Sequence, residues 1–140
     1  MDLRVRFAET DQMGVAHHAT YAVWLEAARV EWLRDLGLSY RDLDAQGVSL
    51  AVTGLDVRYR RAVRFDDRLR VDVVLEEARP RRLRFGYRIV RTEDGALVAE
   101  ATTWHVPTDR SGAAMRLPPP WLDAIVGRVG SLDGARAPRS

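Results

Sequence analysis

Cysteine and lysine are both missing from this chain, in which all 22 basic residues are arginines. Without cysteine there are no disulfide bonds, no thiolate metal sites and no cysteine nucleophile. Without lysine there is no Schiff-base or P-loop lysine chemistry. Any thiol that takes part in a reaction must therefore belong to the substrate.

Long apolar runs are missing as well. No segment approaches the roughly 20 apolar residues of a membrane span, and residues 1–7 alternate charged and apolar side chains, unlike a signal peptide. With 46% hydrophobic and 30% charged residues in a chain of 140, the composition is that of one soluble globular domain. We therefore expect a cytoplasmic protein without a membrane span.

The charges of the chain nearly cancel. The 22 arginines face 20 acidic residues, so the net charge is only +2. The number of arginines is the sole feature that suggests nucleic-acid binding, because the specific signals of nucleic-acid-binding domains are absent. We expect no nucleic-acid partner.

One long helix is predicted from about residue 17 to residue 36. Apolar residues recur there at intervals of three and four and form one stripe, and Gly37 supplies the expected stop. Charged residues, Arg29 among them, are expected to lie largely off this stripe. The stripe consists of Tyr21, Trp24, Leu25, Ala28, Trp32 and Leu36. We expect other elements to wrap this helix.

Strands are predicted on both sides of the helix. Residues 3–7 alternate apolar and charged side chains before it, and four further alternating segments follow, at about 48–63, 69–76, 83–91 and 96–106. This order predicts an α+β fold, with a five-stranded, largely antiparallel sheet curled around one long helix. A short helix is expected at 121–126. We expect a single domain over 1–127 and a disordered tail over 128–140.

The segment between the first strand and the helix carries the chemistry. It places Asp11 just after the strand and His18 at the start of the helix. The first helical turn has unpaired N–H groups and roughly half a positive charge, so it can polarise a carbonyl there. An aspartate is ionised at neutral pH and can attack that carbonyl or activate water. The alternative is that Asp11 only caps backbone donors.

The same segment resembles a known family. The pattern Glu-Thr-Asp-x-x-Gly-Val-x-x-His-x-x-Tyr over residues 9–21, followed by Trp24-Leu25-Glu26-Ala27-Ala28-Arg29, resembles the hotdog-fold acyl-CoA thioesterases of the 4-hydroxybenzoyl-CoA thioesterase type, including the YbgC-like group. Residues 55–67 resemble that family's second strand and following turn, and the likeness extends over about residues 2–107.

The resemblance implies roles for individual residues. Asp11 becomes the catalytic carboxylate, Gly14 shapes its loop and the backbone N–H of His18 is the oxyanion donor. His17 stands where the family more often has an aromatic residue, which alters the acyl pocket. The family also implies a homodimer whose two sheets join edge to edge around paired active sites, often doubled to a homotetramer.

Substrate-binding residues are predicted at two places. His17, Tyr21 and Tyr59 either line the acyl pocket or belong to the core. Arg79, Arg81 and Arg82, between the third and fourth strands, either bind the phosphates of coenzyme A (CoA) or pair with carboxylates across the sheet. The carboxylates available for such pairs are Asp56, Asp72 and Glu76. No cofactor is expected, since CoA enters as part of the substrate.

Rival sites and functions remain open at this point. A metal site from Asp11, His17, His18 and His105 is disfavoured because neighbouring helical residues diverge by about 100°, and we expect no metal. Glu26 and Glu31 are alternative carboxylates on the helix. The alternative functions are an acyl-carrier-protein thioesterase and a non-catalytic acyl- or lipid-binding protein of the same fold. The sequence does not distinguish an aromatic from a short aliphatic acyl group.

Overall fold

The computed structural model describes residues 1–132, which form five strands and three α-helices. The strands are β1 (Asp2–Arg4), β2 (Ser49–Tyr59), β3 (Arg68–Arg79), β4 (Arg82–Arg91) and β5 (Leu97–Thr108). The helices are α1 (His18–Asp35), α2 (Tyr40–Ala45) and α3 (Pro119–Val126), and a 3₁₀ turn spans Phe7–Glu9. None of these helices is long and apolar enough to cross a membrane.

The strands form one antiparallel sheet in the order β1-β3-β4-β5-β2. Its inner face packs on α1, and together they bury one hydrophobic core. The predicted α+β architecture, a five-stranded antiparallel sheet around one long helix, is confirmed. Strand β2 lies at the edge of the sheet, and within residues 1–132 it pairs with β5 alone.

Helix α1 begins and ends within a residue of the predicted bounds, but its buried face differs from the predicted stripe. Arg29 is buried, with 6% of its surface exposed, whereas Trp32 and Leu36 are only half-buried. Nε of Arg29 donates to the Tyr40 hydroxyl at 3.0 Å, and Nη1 of Arg29 donates to the Tyr87 hydroxyl at 3.1 Å. The expectation that Arg29 lies off the stripe is wrong, because these two phenols satisfy the buried guanidinium.

A chain of buried hydrogen bonds continues from Arg29 into the sheet. The Tyr87 hydroxyl lies 2.6 Å from Oγ1 of Thr103, and this Oγ1 lies 2.8 Å from Nε2 of His105. Both His105 and Tyr87 are fully buried. The centre of the core therefore contains a polar chain that runs from α1 through β4 to β5.

Strand β2 is shorter than the predicted segment 48–63 and ends at Tyr59. The N–H groups of Arg60 and Arg61 both donate to the Val98 carbonyl, which interrupts the regular ladder with β5. Beyond this point Arg64 forms an isolated bridge with Val15 instead. The chain after β2 is therefore drawn toward the segment that precedes α1.

Helix α3 begins at Pro119, two residues earlier than predicted, with proline in its first turn, where the missing N–H costs nothing. Beyond α3, the N–H of Gly130 donates to the carbonyl of Leu75 in β3 at 2.9 Å. Residues 133–140 lie outside the described residues. The domain boundary at residue 127 and the disordered tail stay predictions.

Candidate active site

A short loop carries Asp11 from the 3₁₀ turn to the start of α1. Thr10 and Ala16 pair as an antiparallel bridge at its base. Within the loop, the N–H of Asp11 donates to the Val15 carbonyl at 2.8 Å, and the N–H of Gly14 donates to the Asp11 carbonyl at 2.9 Å. Gly14 has φ +77°, a left-handed conformation that favours glycine. The loop is thus a closed turn with Asp11 at its start.

The Asp11 side chain is exposed, and its two oxygens differ in their partners. Oδ1 accepts the backbone N–H of Met13 at 2.8 Å and that of Val15 at 3.4 Å. Oδ2 has no hydrogen-bond partner within residues 1–132. One oxygen is therefore used to hold the loop, and the other is available to a ligand.

The first turn of α1 leaves one amide unpaired. The N–H of Ala19 donates to Nδ1 of His17 at 3.1 Å, and the N–H of Thr20 donates to the His17 carbonyl at 2.9 Å. The N–H of His17 itself donates to the Glu9 carbonyl at 2.8 Å. The amide of His18, the first helical residue, finds no acceptor in the described part of the chain. It is free to bind an external oxygen.

A cleft of about 290 Å³ opens beside this helix start. The hydroxyl of Tyr59 donates to the His18 carbonyl at 3.4 Å, and the rings of Tyr59 and Tyr21 meet edge to face at 4.9 Å. Burial, with a smaller contribution from Tyr59, raises the pKa of Tyr21 to about 12, so its hydroxyl stays neutral. The lining residues are Val15, Ala16, His18, Tyr21, Tyr59, Arg60, Arg61 and Ala62.

The cleft thus unites His18 with two of the predicted acyl-binding residues, Tyr21 and Tyr59. The other candidates lie around it. His17 does not line the cleft, since its Nδ1 caps α1 and its ring stacks on that of His18 at 4.2 Å.

Three candidate carboxylates also lie outside the cleft walls. Asp11 stands on the adjoining loop, which contributes Val15 to the walls. Glu26 and Glu31, the alternative carboxylates, occupy exposed positions farther along α1. Of these three carboxylates, that of Asp11 is the closest along the sequence to the unpaired His18 amide.

Two of the three hairpin arginines, Arg79 and Arg82, already have protein partners. Nε of Arg82 lies 2.6 Å from a carboxylate oxygen of Glu77, and Nε of Arg79 lies 3.7 Å from the other. The hydrogen bond from Arg82 holds the pKa of Glu77 below its usual value. Both Arg79 and Arg82 therefore pair with Glu77, which the sequence analysis did not name. Arg82 lies on the neighbouring strand, whereas Arg79 lies two residues beyond Glu77 on the same strand. Arg81 has no ion pair among the described residues.

Those arginines lie at the opposite end of the sheet from the cleft. Tyr59 pairs with Ala99, which pairs with Ile89, which in turn pairs with Val71. Arg79 follows Val71 by eight residues along β3, a distance of roughly 26 Å at 3.3 Å per residue. One chain does not bring the hairpin and the cleft together.

Glu9 is a residue that the sequence analysis did not identify. Its carboxylate is buried and accepts the backbone N–H of Arg6 at 2.7 Å and the indole N–H of Trp24 at 3.0 Å. Burial alone raises the pKa of Glu9, but these hydrogen bonds outweigh it and hold the pKa below its usual value. The spacing from residue 6 to residue 9 is that of a capping box, whereas the contact with Trp24 has no local signal.

The proposed metal ligands do not come together. His105 is fully buried in the core, where its Nε2 lies 2.8 Å from Oγ1 of Thr103. Burial, with a contribution from the nearby Arg29 charge, lowers the pKa of His105 to about 4. The other three candidates lie near the start of α1. Within residues 1–132, no group of three histidine, aspartate or glutamate side chains is placed to hold a metal ion.

A model of the thioesterase-like superfamily matches residues 5–126. The chain belongs to this superfamily. The match covers strands β2 to β5, α1 and the candidate site, and it extends beyond residue 107, where the likeness seen in the sequence alone ends. That resemblance and the hotdog fold are confirmed.

Individual relatives within the superfamily are also similar over most of the chain. The putative acyl-CoA thioesterase YneP of Bacillus subtilis is 33% identical over 109 residues, which is 78% of each chain. The acyl-CoA thioester hydrolase YbgC of Escherichia coli is 36% identical over 95 residues, 68% of this chain and 71% of that one.

Among solved structures, a DHNA-CoA thioesterase from Staphylococcus aureus superposes with a TM-score of 0.87 at 31% identity, over 91% of this chain and 87% of that one. The prediction of an enzyme of the thioester hydrolase class is confirmed.

Proposed function

We propose that the protein hydrolyses acyl-CoA thioesters to a free carboxylic acid and CoA. The observation that carries this proposal is the unpaired His18 amide, which lines an apolar cleft beside a loop with an available aspartate oxygen. The thioester carbonyl oxygen points at this amide. The negative charge that develops on the oxygen is then stabilised by the N–H and by the start of α1.

Asp11 promotes attack on the thioester carbonyl carbon in one of two ways. Its Oδ2 attacks the carbonyl carbon, the C–S bond breaks, CoA leaves as a thiolate, and water then hydrolyses the acyl anhydride. Alternatively, Asp11 takes a proton from water, whose oxygen attacks the same carbon, and the C–S bond then breaks to release the acid and the CoA thiolate. In other enzymes one oxyanion donor is worth on the order of 3 kcal/mol in the transition state, so we assign the His18 amide a comparable share.

The chemistry of the cleft favours thioesters over amides. A thiolate leaves without being protonated first, whereas an amine needs a general acid. Tyr21, with its pKa raised to about 12, is a poor proton donor at neutral pH. The reaction needs no metal or cofactor, and we propose that it takes place in the cytoplasm, where CoA thioesters are formed.

A homodimer is part of this proposal. Strand β2 offers a free edge of 11 residues that displays the exposed side chains of Val52, Leu55 and Tyr59. A long, apolar, unpaired edge strand is a template for pairing with a second copy. Antiparallel pairing of two β2 strands reverses one sheet relative to the other. The partner's β3–β4 hairpin then lies at the same end as the cleft.

Substrate binding follows from that arrangement. Tyr21 and Tyr59 contact the acyl group, for which the cleft volume suits an aromatic or short aliphatic chain. His17 orients the helix start as its N-cap. Arg79, Arg81 and Arg82 of the partner subunit are proposed to bind the CoA phosphates. A homotetramer is the further assembly we expect, formed from two such dimers.

Thiol release from benzoyl-CoA, butyryl-CoA and palmitoyl-CoA by the purified protein tests the proposal. We expect Asp11→Asn to lower kcat by on the order of 10³-fold, because the amide neither attacks nor accepts a proton from water. Asp109→Asn is the matched control, since Oδ1 of Asp109 also accepts two loop N–H groups. Equal rates for the wild type and Asp11→Asn would refute the proposed mechanism.

The same assay separates the alternatives. Faster release from butyryl-acyl carrier protein than from butyryl-CoA would identify the carrier protein as the thiol donor. Saturable binding of the acyl-CoAs without any thiol release would instead identify a non-catalytic acyl-binding protein.

A further inference from the structure

Glu9 has a buried carboxylate in a position where a buried charge is costly. Within residues 1–132, Glu9 is the one acidic residue that is buried, with 8% of its surface exposed. Oε1 accepts the Arg6 N–H at 2.7 Å, and Oε2 accepts the Trp24 indole N–H at 3.0 Å and lies 3.4 Å from the Arg6 guanidinium. Both carboxylate oxygens are therefore satisfied by fixed donors.

The backbone of Glu9 closes the loop that carries Asp11. Its carbonyl accepts the N–H of His17 at 2.8 Å, and the next residue, Thr10, pairs with Ala16. Both ends of the Asp11 loop thus meet at the Glu9 peptide. Any shift of Glu9 relative to α1 moves the whole loop relative to the helix start.

The side chain of Glu9 fastens this closed loop to α1 at a second point. Trp24 lies six residues beyond His18 on the helix, is 4% exposed, and contacts the Tyr21 ring at 4.9 Å. Tyr21 is part of the cleft wall. The Glu9 carboxylate therefore joins the loop to the part of α1 that also shapes the cleft.

We propose that Glu9 is a positioning residue that sets the separation between the Asp11 carboxylate and the His18 amide. This inference rests on the proposed function, in which the two groups act on opposite sides of one thioester carbonyl. Glu9 itself touches no reacting atom. It acts by holding the loop at the start of α1, through the His17 N–H and the Thr20 hydroxyl, and farther along α1 at the Trp24 indole.

Two variants remove the attachment in different ways. Glu9→Gln retains one acceptor oxygen and cannot accept from both the Arg6 N–H and the Trp24 indole. Trp24→Phe removes the indole donor and leaves the carboxylate. With benzoyl-CoA we expect kcat to fall about tenfold to a hundredfold in Glu9→Gln, because displacing a catalytic group by about 1 Å lowers the rate by about that factor. We expect a smaller fall in Trp24→Phe. KM is expected to change little.

Asp94→Asn is the matched control for the loss of a carboxylate that holds a turn. The Asp94 carboxylate accepts a hydrogen bond from the Arg91 guanidinium at 2.8 Å and another from the backbone N–H of Ala96 at 3.1 Å. Asp94 lies in the turn between β4 and β5, and its own hydrogen bonds and ion pair join it to Arg91 and Ala96, not to residues 10–18. We expect kcat of Asp94→Asn to equal that of the wild type.

Hydrogen exchange of the backbone amides provides a readout that does not depend on activity. In Glu9→Gln we expect faster exchange over residues 10–18 and unchanged exchange in β3, β4 and β5. Unchanged exchange over 10–18, or a uniform rise across the sheet, would overturn the proposal, as would an unchanged kcat in an active enzyme. A wild type that releases no thiol would refute the proposed function, and the exchange data alone would then decide the role of Glu9.

Discussion

Two loops of this protein have the same backbone design and different surroundings. In residues 11–15 and in residues 109–113, an aspartate Oδ1 accepts the N–H groups two and four positions ahead. In both loops a glycine with positive φ occupies the fourth position and donates its N–H to the aspartate carbonyl. The hydrogen-bond pattern of Asp11 is therefore a way to build a turn and does not by itself indicate catalysis.

The neighbours of the two loops differ. The loop at 11–15 adjoins the unpaired His18 amide and contributes Val15 to the cleft. The loop at 109–113 follows Thr108, which pairs with Ser49 at the far end of β2. In addition, Ser111 donates its hydroxyl to Oδ1 of Asp109 at 2.6 Å. The role proposed for the first loop thus depends on the groups beside the turn and not on the turn itself.

Alanine at the two loop glycines gives the largest expected contrast. Gly14 and Gly112 have φ of +77° and +87°, so each alanine costs about 1–2 kcal/mol of backbone strain. An added Cβ meets no atom closer than 3.5 Å at Gly14, and none within 4 Å at Gly112. We expect similar losses of unfolding free energy in urea, but a fall in kcat of about tenfold or more for Gly14→Ala alone. Equal kcat values would show that the shape of the Asp11 loop does not matter.

The second expected contrast is the pH dependence of the stability that the Asp109 loop contributes. The hydrogen bond from Ser111 and that from the Ala113 N–H hold the pKa of Asp109 below its usual value. Its ionised form therefore stabilises the fold at neutral pH, and this contribution is lost as the pH falls through the folded-state pKa. Asp109→Asn lacks the contribution. We expect the Tm difference between wild type and Asp109→Asn to shrink as the pH is lowered from 6 toward 3, and a constant difference would contradict this account.

The smallest expected effect comes from making the first loop more like the second. Met13 occupies the position that Ser111 holds in the other loop. Met13→Ser offers a hydroxyl to Oδ1 of Asp11, which reduces the electron density available for attack. We expect kcat to fall about twofold to tenfold, the equivalent of one net hydrogen bond, with Tm unchanged or slightly raised. Met13→Ala, which adds no donor, is the control and should retain the wild-type kcat.

The elements that follow from local periodicity were predicted well. Helix α1 and strands β3, β4 and β5 lie within a few residues of their expected bounds, because apolar spacing and turn residues are properties of short segments. The Asp11 loop and the start of α1 were also predicted from short segments. Because the loop directly precedes the helix along the chain, the sequence alone indicates that Asp11 lies near the first residues of α1.

Long-range contacts account for what the sequence analysis missed. Arg29 is buried because Tyr40 and Tyr87, 11 and 58 residues away, provide its acceptors. Glu9 reaches Trp24 across 15 residues. The position of the hairpin arginines relative to the cleft depends on strand register, which periodicity leaves undetermined.

The buried chain from Arg29 to His105 begins at a group that can only donate hydrogen bonds. A guanidinium donates and never accepts, so the Tyr87 oxygen accepts a hydrogen bond from Arg29. The Tyr87 hydroxyl can then donate to Oγ1 of Thr103. In the tautomer of His105 that carries its ring proton on Nδ1, the Thr103 hydroxyl donates to Nε2. If acid protonates Nε2, two donors face each other and the Thr103 hydroxyl must rotate away. Protonation of His105 therefore reverses the direction of its hydrogen bond with Thr103 inside the core.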